Sequence, residues 1–251
     1  MATVKALEGR TIHQIQSGQV IVDLCSVVKE LVENSLDAEA TAIEVRFRNN
    51  GLDSIEVQDN GIGIASENYE TIALKHYTSK LSNYDDLSSL QTFGFRGEAL
   101  SSLCALSKFH ITTARADEAP KGTRLDFDTS GKLKGTHVIA SQKGTTVTIE
   151  DLFRNLPVRR RELEKNIKRE YGKVLGVLQA YACISIQARI SVSNVMAKGK
   201  KALVFATKSS QGTRENIANV FGAKTLPGLV VLDLSFEMQP TKSYSQLSEP
   251  E

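Results

Sequence analysis

Long apolar runs, closely spaced cysteines and a large net charge are all missing from this sequence of 251 residues. No apolar stretch approaches the ~20 residues that span a bilayer, and the N-terminus lacks a signal peptide's apolar region. The three cysteines, Cys25, Cys104 and Cys183, stand far apart in apolar surroundings, which favours free thiols over disulfides or zinc ligands. Four scattered histidines add no metal-ligand spacing. We therefore expect a protein of the cytosol or nucleus with no membrane partner.

The charge balance gives no sign of a nucleic-acid binder, because 31 Lys and Arg face 29 Asp and Glu. A hydrophobic fraction of 41% suffices for a real core, and the length allows one large domain or one domain plus part of a second. Local basic clusters must therefore be judged separately.

The most informative stretch is a helical pattern at residues 27–37. Val28, Leu31 and Val32 recur at helical spacing and predict one buried face. Glu30 and Asn34 lie one turn apart on one face, where a carboxylate and an amide could point into one site. Taken alone, such a pair is far more typical of the solvated side of an amphipathic helix, and only the motifs that follow favour a site.

A hairpin is predicted after this helix. Apolar residues alternate with polar ones at 43–47, a turn signal follows at 49–51, and a second strand covers 55–57. That strand ends in a loop with an acidic residue and two glycines, Asp59, Gly61 and Gly63. Glycines at a strand end let the backbone approach a ligand closely.

Residues 75–98 predict a long lid or binding loop after a short helix at 66–73. Its end, at 94–97, is rich in glycine and precedes a helical run at 99–106. A glycine-rich loop before a helix N-terminus is the arrangement that binds phosphate through free N–H groups. A glycine-rich turn with nothing bound is the alternative.

The remaining pattern predicts strands at 109–113, 123–128, 137–140 and 144–149, and a long helix at 159–185. Strands at 188–195 and 202–206, a helix at 214–221 and a strand at 229–234 follow. The N-terminal segment 1–19 is polar and reads as an arm with at most a helical turn, and 235–251 reads as a disordered tail.

Four of these pieces, in this order, resemble the nucleotide-binding motifs of the ATPase superfamily of gyrase B, heat-shock chaperones, histidine kinases and MutL. They are the helix with Glu30, the Asp59 loop, the glycine-rich lid and the strand Gly-Thr-Thr-Val at 144–147. Longer strings are similar to MutL itself: Val-Lys-Glu-Leu-Val-Glu-Asn-Ser-Leu-Asp-Ala at 28–38, His-Tyr-Thr-Ser-Lys at 76–80, Gly-Phe-Arg-Gly-Glu-Ala-Leu-Ser-Ser-Leu at 94–103, and Asn-Leu-Pro-Val-Arg at 155–159. The resemblance covers roughly residues 8–234 and is closest to the eukaryotic post-meiotic-segregation type.

The resemblance implies an α+β fold of the Bergerat (GHKL) type, an α/β sandwich with a mixed, mostly antiparallel sheet. It implies an arm at 1–19, an ATP-binding domain at 20–187 with a lid at 75–98, and an incomplete second domain of the ribosomal S5-like transducer type at 188–234. The family's second-domain lysine for the γ-phosphate would lie beyond residue 251, so we expect a fragment or a shortened product without the endonuclease region.

The resemblance also implies residue roles. Glu30 matches the glutamate that activates water, Asn34 the Mg²⁺ ligand, Asp59 the acceptor for the adenine amino group and Thr145 a threonine near adenine. Further positions match nucleotide-binding residues: Gly61 and Gly63 beneath the base, Thr78, Ser79 and Lys80 in the lid, and Gly94, Phe95, Arg96, Gly97, Glu98, Ala99 and Leu100 around the phosphates. No P-loop is present.

Two functions follow from the resemblance. The first is a Mg²⁺-dependent ATPase in which ATP orders the lid and drives N-terminal dimerisation with a MutL-homologue paralogue, DNA clamping and work with a MutS-type complex in the nucleus. The second is a nucleotide-gated dimerisation and DNA-binding module without hydrolysis. Basic residues along 159–173 and 198–201 predict either weak, sequence-independent DNA contact or an ion-paired helix face.

Overall fold

An aspartate and a serine begin the helix that carries Glu30. The computed structural model describes residues 6, 8–78, 80, 92–94, 96–196, 199–208 and 212–236, and places helix α2 at Leu24–Asp37. The Asp23 carboxylate accepts a hydrogen bond from the Ser26 N–H at 2.8 Å, and the Ser26 hydroxyl accepts one from the Asp23 N–H at 3.1 Å. This capping box satisfies N–H groups that a helix start leaves unpaired. Val27, Val28, Leu31 and Val32 are buried as expected, and Leu36 is partly buried.

Eight strands form one sheet in the order β5-β4-β3-β6-β2-β1-β7-β8. Their bounds are β1 Ala42–Arg48, β2 Ser54–Asp59, β3 Lys108–Ala114, β4 Lys121–Phe127, β5 Leu133–Ala140, β6 Gly144–Glu150, β7 Arg189–Val195 and β8 Lys201–Ala206. All neighbours pair antiparallel except β1 and β7, which pair in parallel. The predicted mixed, mostly antiparallel sheet is confirmed.

The two faces of the sheet differ in chemistry, as the alternation in β1 predicts. Val45 and Phe47 are fully buried, and burial of each such side chain contributes about 1.5–3 kcal/mol. Between them Arg46 points to the other face, where it pairs with Glu44 at 3.0 Å and with Glu56 across the hairpin. The predicted β1–β2 hairpin is therefore confirmed, and its apolar face is the one that the helices cover.

The other helices are α1 Gly9–Val20, α3 Ala99–Leu106, α4 Pro157–Ile184 and α5 Thr213–Phe221. The predicted apolar stripe of α4 is buried at Leu163, Val174 and Leu178, and Tyr171 packs edge-on against Phe47 with ring centroids 5.2 Å apart. No helix in these described ranges is long and apolar enough to cross a membrane.

The N-terminal segment corrects the expectation of an arm with at most one helical turn. Residues 9–20 form a helix that packs against α3, with the His13 Nε2 atom 3.0 Å from the Ser101 Oγ atom. Arg159 holds the end of this helix, since its guanidinium donates to the Gly18 carbonyl at 2.6 Å and to the Ile21 carbonyl at 3.3 Å. The helix was missed because contacts distant in sequence stabilise it. Residues 1–5 and 7 lie outside the described residues.

The first two strands of the expected second domain at 188–234 lie in the same sheet as the strands before them. β7 hydrogen-bonds to β1 and β8 pairs with β7, so both strands extend the first sheet. A parallel pairing between strands so far apart in the chain leaves no local signature in the sequence. Where a second domain begins stays a prediction.

Two further expectations differ from the structure. The helix expected at 66–73 is a single 3-10 turn at Ser66–Asn68 followed by turns. The strand expected at 229–234 is an extended segment outside the sheet, with Val230 88% exposed, because an apolar run forms a strand only beside a partner strand. The predicted disorder from residue 237 onward lies outside the described residues. The three cysteines are free, as expected.

Candidate active site

A cavity of about 680 Å³ opens between α2, α3 and the loops before α3. We call it the α2–α3 cavity. It brings together many of the residues that the sequence predicts for the site: Glu30, Asn34, Thr78, Lys80, Gly94, Arg96, Gly97, Glu98, Ala99 and Leu100. Ser79 and Phe95 lie outside the described residues. Residues that the sequence did not predict also line it, among them Gln16 and Gln19 of α1.

Glu30 lies on the cavity wall with a perturbed acidity. Burial raises the pKa of Glu30 and the nearby Glu33 charge raises it further, whereas the cations Lys29, Lys80 and Arg96 lower it. A carboxylate that is partly withdrawn from water and faces a cavity is a candidate general base.

A second, buried carboxylate supports this part of α2. Glu33 is bound by the Lys29 ammonium at 2.8 Å and by the Tyr181 hydroxyl of α4. Burial, followed by the hydrogen bond to Glu33, raises the pKa of Tyr181. The Phe93 ring packs edge-on against the Tyr181 ring, with centroids 6.3 Å apart. Glu33 therefore joins α2, α4 and the loop before α3 beside the site.

Asn34 and Asp37 both contact the Lys80 ammonium at one end of the cavity. The Asn34 Oδ1 atom accepts a hydrogen bond from the Lys80 ammonium at 2.9 Å, and the same ammonium lies 2.5 Å from Asp37 Oδ2. The Phe93 and Gly94 N–H groups donate to Asp37 at 3.0 and 3.2 Å. Asp37 was not predicted as a site residue, although its position one turn after Asn34 places both on one face of α2.

The glycine-rich segment before α3 depends on a left-handed backbone at Gly97. Its φ is +59°, and a Cβ atom there would lie 2.2 Å from the Tyr77 carbonyl oxygen. The Gly97 carbonyl in turn accepts the His76 N–H at 3.0 Å. The Glu98 side chain makes no cap hydrogen bond to α3, so it does not occupy the first N–H groups of that helix. The first two residues of α3, Ala99 and Leu100, line the cavity. Such a helix start can bind an anion.

Asp59 is the centre of a separate, buried polar cluster. Its carboxylate is 9% exposed and accepts the Gly61 N–H at 2.9 Å, the Thr145 N–H at 3.1 Å and the Ser35 hydroxyl at 3.0 Å. Burial raises the pKa of Asp59, while the hydrogen bonds from Gly61, Ser35 and Thr145 act in the opposite direction. Ser35 was not predicted, although it directly follows Asn34.

The predicted glycines of this loop have a packing reason of their own. A Cβ atom at Gly61 would lie 2.5 Å from the Ala38 carbonyl oxygen, and one at Gly63 equally close to the Ala114 carbonyl oxygen. Thr113, also missed, joins this loop to β6: its hydroxyl accepts the Ile64 N–H at 2.9 Å and donates to the Gly144 carbonyl at 3.1 Å. Thr113 pairs with Thr145 across β3 and β6, a contact between distant residues that leaves no local signal in the sequence.

The predicted residues therefore fall into two groups. Asp59, Gly61, Gly63 and Thr145 are not among the residues that line the α2–α3 cavity, and the helix segment from Asn34 to Ser35 connects the two groups. Within the described part of the chain, no group of three or more His, Cys, Asp or Glu side chains could hold a metal ion by itself.

The basic residues of α4 are largely engaged within the chain. Arg160 donates to the Leu52 and Leu152 carbonyls at 3.0 and 3.1 Å and pairs with Glu164 at 2.9 Å. Lys173 pairs with Glu170 at 3.0 Å. These contacts favour the ion-paired interpretation of this helix. In the second cluster, residue 198 lies outside the described residues.

The sequence matches a known ATPase family. The family model described as histidine kinase-, DNA gyrase B- and HSP90-like ATPase matches residues 22–156. The chain belongs to this family. Within it, the chain is similar to the DNA mismatch repair protein pms1 of Schizosaccharomyces pombe, with 53% identity over 230 residues. That match covers 92% of this chain and 29% of pms1, so the chain spans under a third of that relative.

The chain is also similar in fold to solved structures of DNA repair proteins. The crystal structure of the N-terminal domain of a DNA repair protein matches with a TM-score of 0.80 and 47% identity, over 89% of this chain and 64% of that chain. The Aquifex aeolicus MutL ATPase domain complexed with ADP matches with a TM-score of 0.58 and 32% identity, over 78% and 68%. The resemblance to the MutL mismatch-repair ATPases is confirmed.

Proposed function

We propose that this chain is the ATP-binding and ATP-hydrolysing part of a MutL-type DNA mismatch-repair protein. The observation that carries the proposal is the position of Glu30 and Asn34, one turn apart on α2, in a cavity that also receives the N-terminus of α3. A carboxylate, an amide oxygen and a helix start are what ATP hydrolysis requires: a base, a cation ligand and donors for phosphate.

Glu30 is the proposed base. Its raised pKa brings it nearer to neutral pH, where a base combines availability of the charged form with a useful affinity for a proton. It would take a proton from the water that attacks the terminal phosphorus. The cations Lys80 and Arg96, whose charges reach Glu30, would offset negative charge on the phosphates.

Asn34 is the proposed protein ligand of Mg²⁺. Its carboxamide oxygen is a hard donor and already faces a cation, the Lys80 ammonium at 2.9 Å, so the residues present fit such an ion. A bound Mg²⁺ would supply charge neutralisation for the phosphate oxygens.

Asp59 is the proposed adenine acceptor. Oδ1 receives two backbone N–H groups; among the described residues Oδ2 receives the Ser35 hydroxyl alone, which leaves a lone pair for the adenine amino group. Guanine presents a carbonyl at that position and would be rejected. Thr145 joins this cluster through its N–H, and the predicted nucleotide contacts of Thr78, Ser79 and Phe95 belong to the same proposal.

The wider role in repair is part of the proposal. We infer N-terminal pairing with a MutL-homologue paralogue, weak DNA contact, work with a MutS-type complex and a nuclear location, in line with the eukaryotic relative. Two features support coupling of nucleotide to the N-terminal segment: α1 lines the α2–α3 cavity, and it exposes Ile12 and Ile15, the latter by 51%.

The deciding experiment is single-turnover hydrolysis of ATP with Mg²⁺ by this chain and by its Glu30→Gln variant. We expect slow hydrolysis by the chain, and binding without hydrolysis by the variant, because loss of a general base typically costs ~100-fold or more. Binding without hydrolysis by both would leave the nucleotide-gated module as the function. Absence of ATP binding in both would refute the proposal.

A further inference from the structure

Two oxygen atoms of α2 bind one cationic atom. The Lys80 Nζ atom lies 2.9 Å from Asn34 Oδ1 and 2.5 Å from Asp37 Oδ2. The Lys80 side chain is 20% exposed and that of Asp37 only 6%. These hydrogen bonds involve charged groups and are withdrawn from water, which makes them stronger than exposed ones. The position is therefore a defined cation site, held by an ammonium group.

The surroundings keep the Asp37 carboxylate in place. Its Oδ1 atom accepts the Phe93 N–H and its Oδ2 atom accepts the Gly94 N–H, so neither oxygen is free to rotate away. Gly94 also makes room for the ammonium, since a Cβ atom there would lie 2.9 Å from Lys80 Nζ. The carboxylate is thus oriented by the backbone independently of Lys80.

We propose that Asn34 and Asp37 together form the cation position of the site, that the Lys80 ammonium occupies it before nucleotide binds, and that Mg²⁺ replaces Lys80 there when nucleotide arrives. This inference rests on the proposed function and adds Asp37 as a ligand. Mg²⁺ is typically bound through one or two protein oxygens, with phosphate and water at the remaining positions. A two-oxygen site fits that pattern, and a lysine ammonium is a compact point charge able to stand in for the ion.

Competition between Lys80 and Mg²⁺ has a measurable consequence. Mg²⁺ can bind only if the contacts of Lys80 with Asn34 and Asp37 are broken. The free energy of those contacts therefore lowers the gain in nucleotide affinity that Mg²⁺ produces. The relevant quantity is the ratio of the nucleotide Kd in EDTA to the Kd in saturating Mg²⁺. A variant without the ammonium should increase this ratio, whereas loss of a plain lysine–phosphate contact would change both Kd values by a similar factor.

The test uses a fluorescent, non-hydrolysable ATP analogue with three variants. Lys80→Met should increase the ratio about tenfold, a usual size for coupling between two sites. Lys75→Met is the matched control, because Lys75 lines the same cavity but pairs with Glu98 at 3.5 Å, and its ratio should stay within about twofold of the unmodified chain. Asp37→Asn, made in the Lys80→Met background where no ammonium competes, should decrease the ratio relative to Lys80→Met alone, since a charged ligand is replaced by a neutral one.

Each outcome decides something. An unchanged ratio in Lys80→Met, or the same increase in Lys75→Met, overturns the exchange of Lys80 for Mg²⁺. The same ratio in Lys80→Met and in a folded Lys80→Met/Asp37→Asn variant, checked by circular dichroism, overturns Asp37 as a ligand. If that variant does not fold, the comparison of the two lysine variants decides alone. If the unmodified chain binds no analogue under either condition, the proposed function fails. If binding depends on Mg²⁺ but the ratio is the same in Lys80→Met, only this inference is overturned.

Discussion

Ser35 and Asp59 are joined by a hydrogen bond of 3.0 Å that connects the helix bearing Glu30 to the end of β2. Because Ser35 directly follows Asn34, the buried cluster around Asp59 and the α2–α3 cavity share one rigid element. A ligand that reached both would contact the Asp59 carboxylate at one end and the N-terminus of α3 at the other.

Asp59→Asn should leave the fold nearly intact and lose nucleotide recognition. An asparagine oxygen can still accept the Gly61 and Thr145 N–H groups, and its NH2 group can face Ser35, whose hydroxyl can donate to the Leu31 carbonyl at 3.1 Å. We expect a stability loss of about 1 kcal/mol in urea unfolding. The amide places a donor where adenine needs an acceptor, so binding of an ATP analogue should be lost. Ser35→Ala, which keeps the carboxylate, should retain binding; retained binding in Asp59→Asn would remove that residue from recognition.

The rate of hydrolysis should depend on pH through Glu30. Only the deprotonated carboxylate can accept a proton, so the rate falls as the pH drops through its pKa, which burial raises above the ordinary glutamate value of 4.5. The acidic limb of a single-turnover profile should accordingly lie above that value. Since the Glu33 charge also raises this pKa, Glu33→Gln should move the limb to lower pH. A shift to higher pH, or no limb above the ordinary value, would contradict the assignment.

Gly97→Ala should abolish nucleotide binding and destabilise the chain. At φ +59° an alanine is strained, and its Cβ atom would meet the Tyr77 carbonyl oxygen at 2.2 Å, a backbone atom that cannot move aside cheaply. We expect a loss of about 1–3 kcal/mol in thermal or urea unfolding. Gly172→Ala is the control: it lies inside α4 with nothing within 4 Å of its Cβ position, and should stabilise by about 0.5–1 kcal/mol. Equal effects of the two substitutions would show that Gly97 has no special conformation.

Arg159→Met should loosen α1. The variant loses hydrogen bonds to the Gly18 and Ile21 carbonyls, together with a stacking contact on Phe153 at 5.7 Å. We expect a cost of about 1–3 kcal/mol and faster hydrogen exchange across Gly9–Val20. Arg161→Met is the control, because Arg161 is exposed and lies on α4 like Arg159. This variant should change neither the stability nor the hydrogen exchange. Unaltered exchange in Arg159→Met would mean that α3 alone holds α1.

The elements that the sequence predicted well are those whose signal is local. The burial of Val28, Leu31 and Val32 in α2 follows from spacing along one helix, and the β1–β2 hairpin from alternation around a turn. Glu30 and Asn34 both line the cavity, and their spacing predicted this because they lie on one face of one helix.

What the sequence did not predict depends on contacts between distant segments. Asp37 accepts hydrogen bonds from Phe93 and Gly94, which are 56 and 57 residues away in the sequence, and Thr113 matters only once β3 lies beside β6. Helix α1 is polar enough to read as an arm until Ser101 and Arg159 are brought against it. In each case the interaction energy belongs to a pair, and neither member carries a recognisable pattern alone.

The parallel pairing of β1 with β7 has a consequence for the order in which the chain folds. Val45 finds its partner Val192 only after α4 has been synthesised, whereas the hairpin partner Val57 follows within a few residues. Bringing such distant strands together costs loop-closure entropy that only tertiary packing can repay. During synthesis, one edge of β1 therefore stays unpaired while the hairpin is already formed. A nascent chain interrupted before β7 would present that edge to other chains, and we expect misassembly to start there.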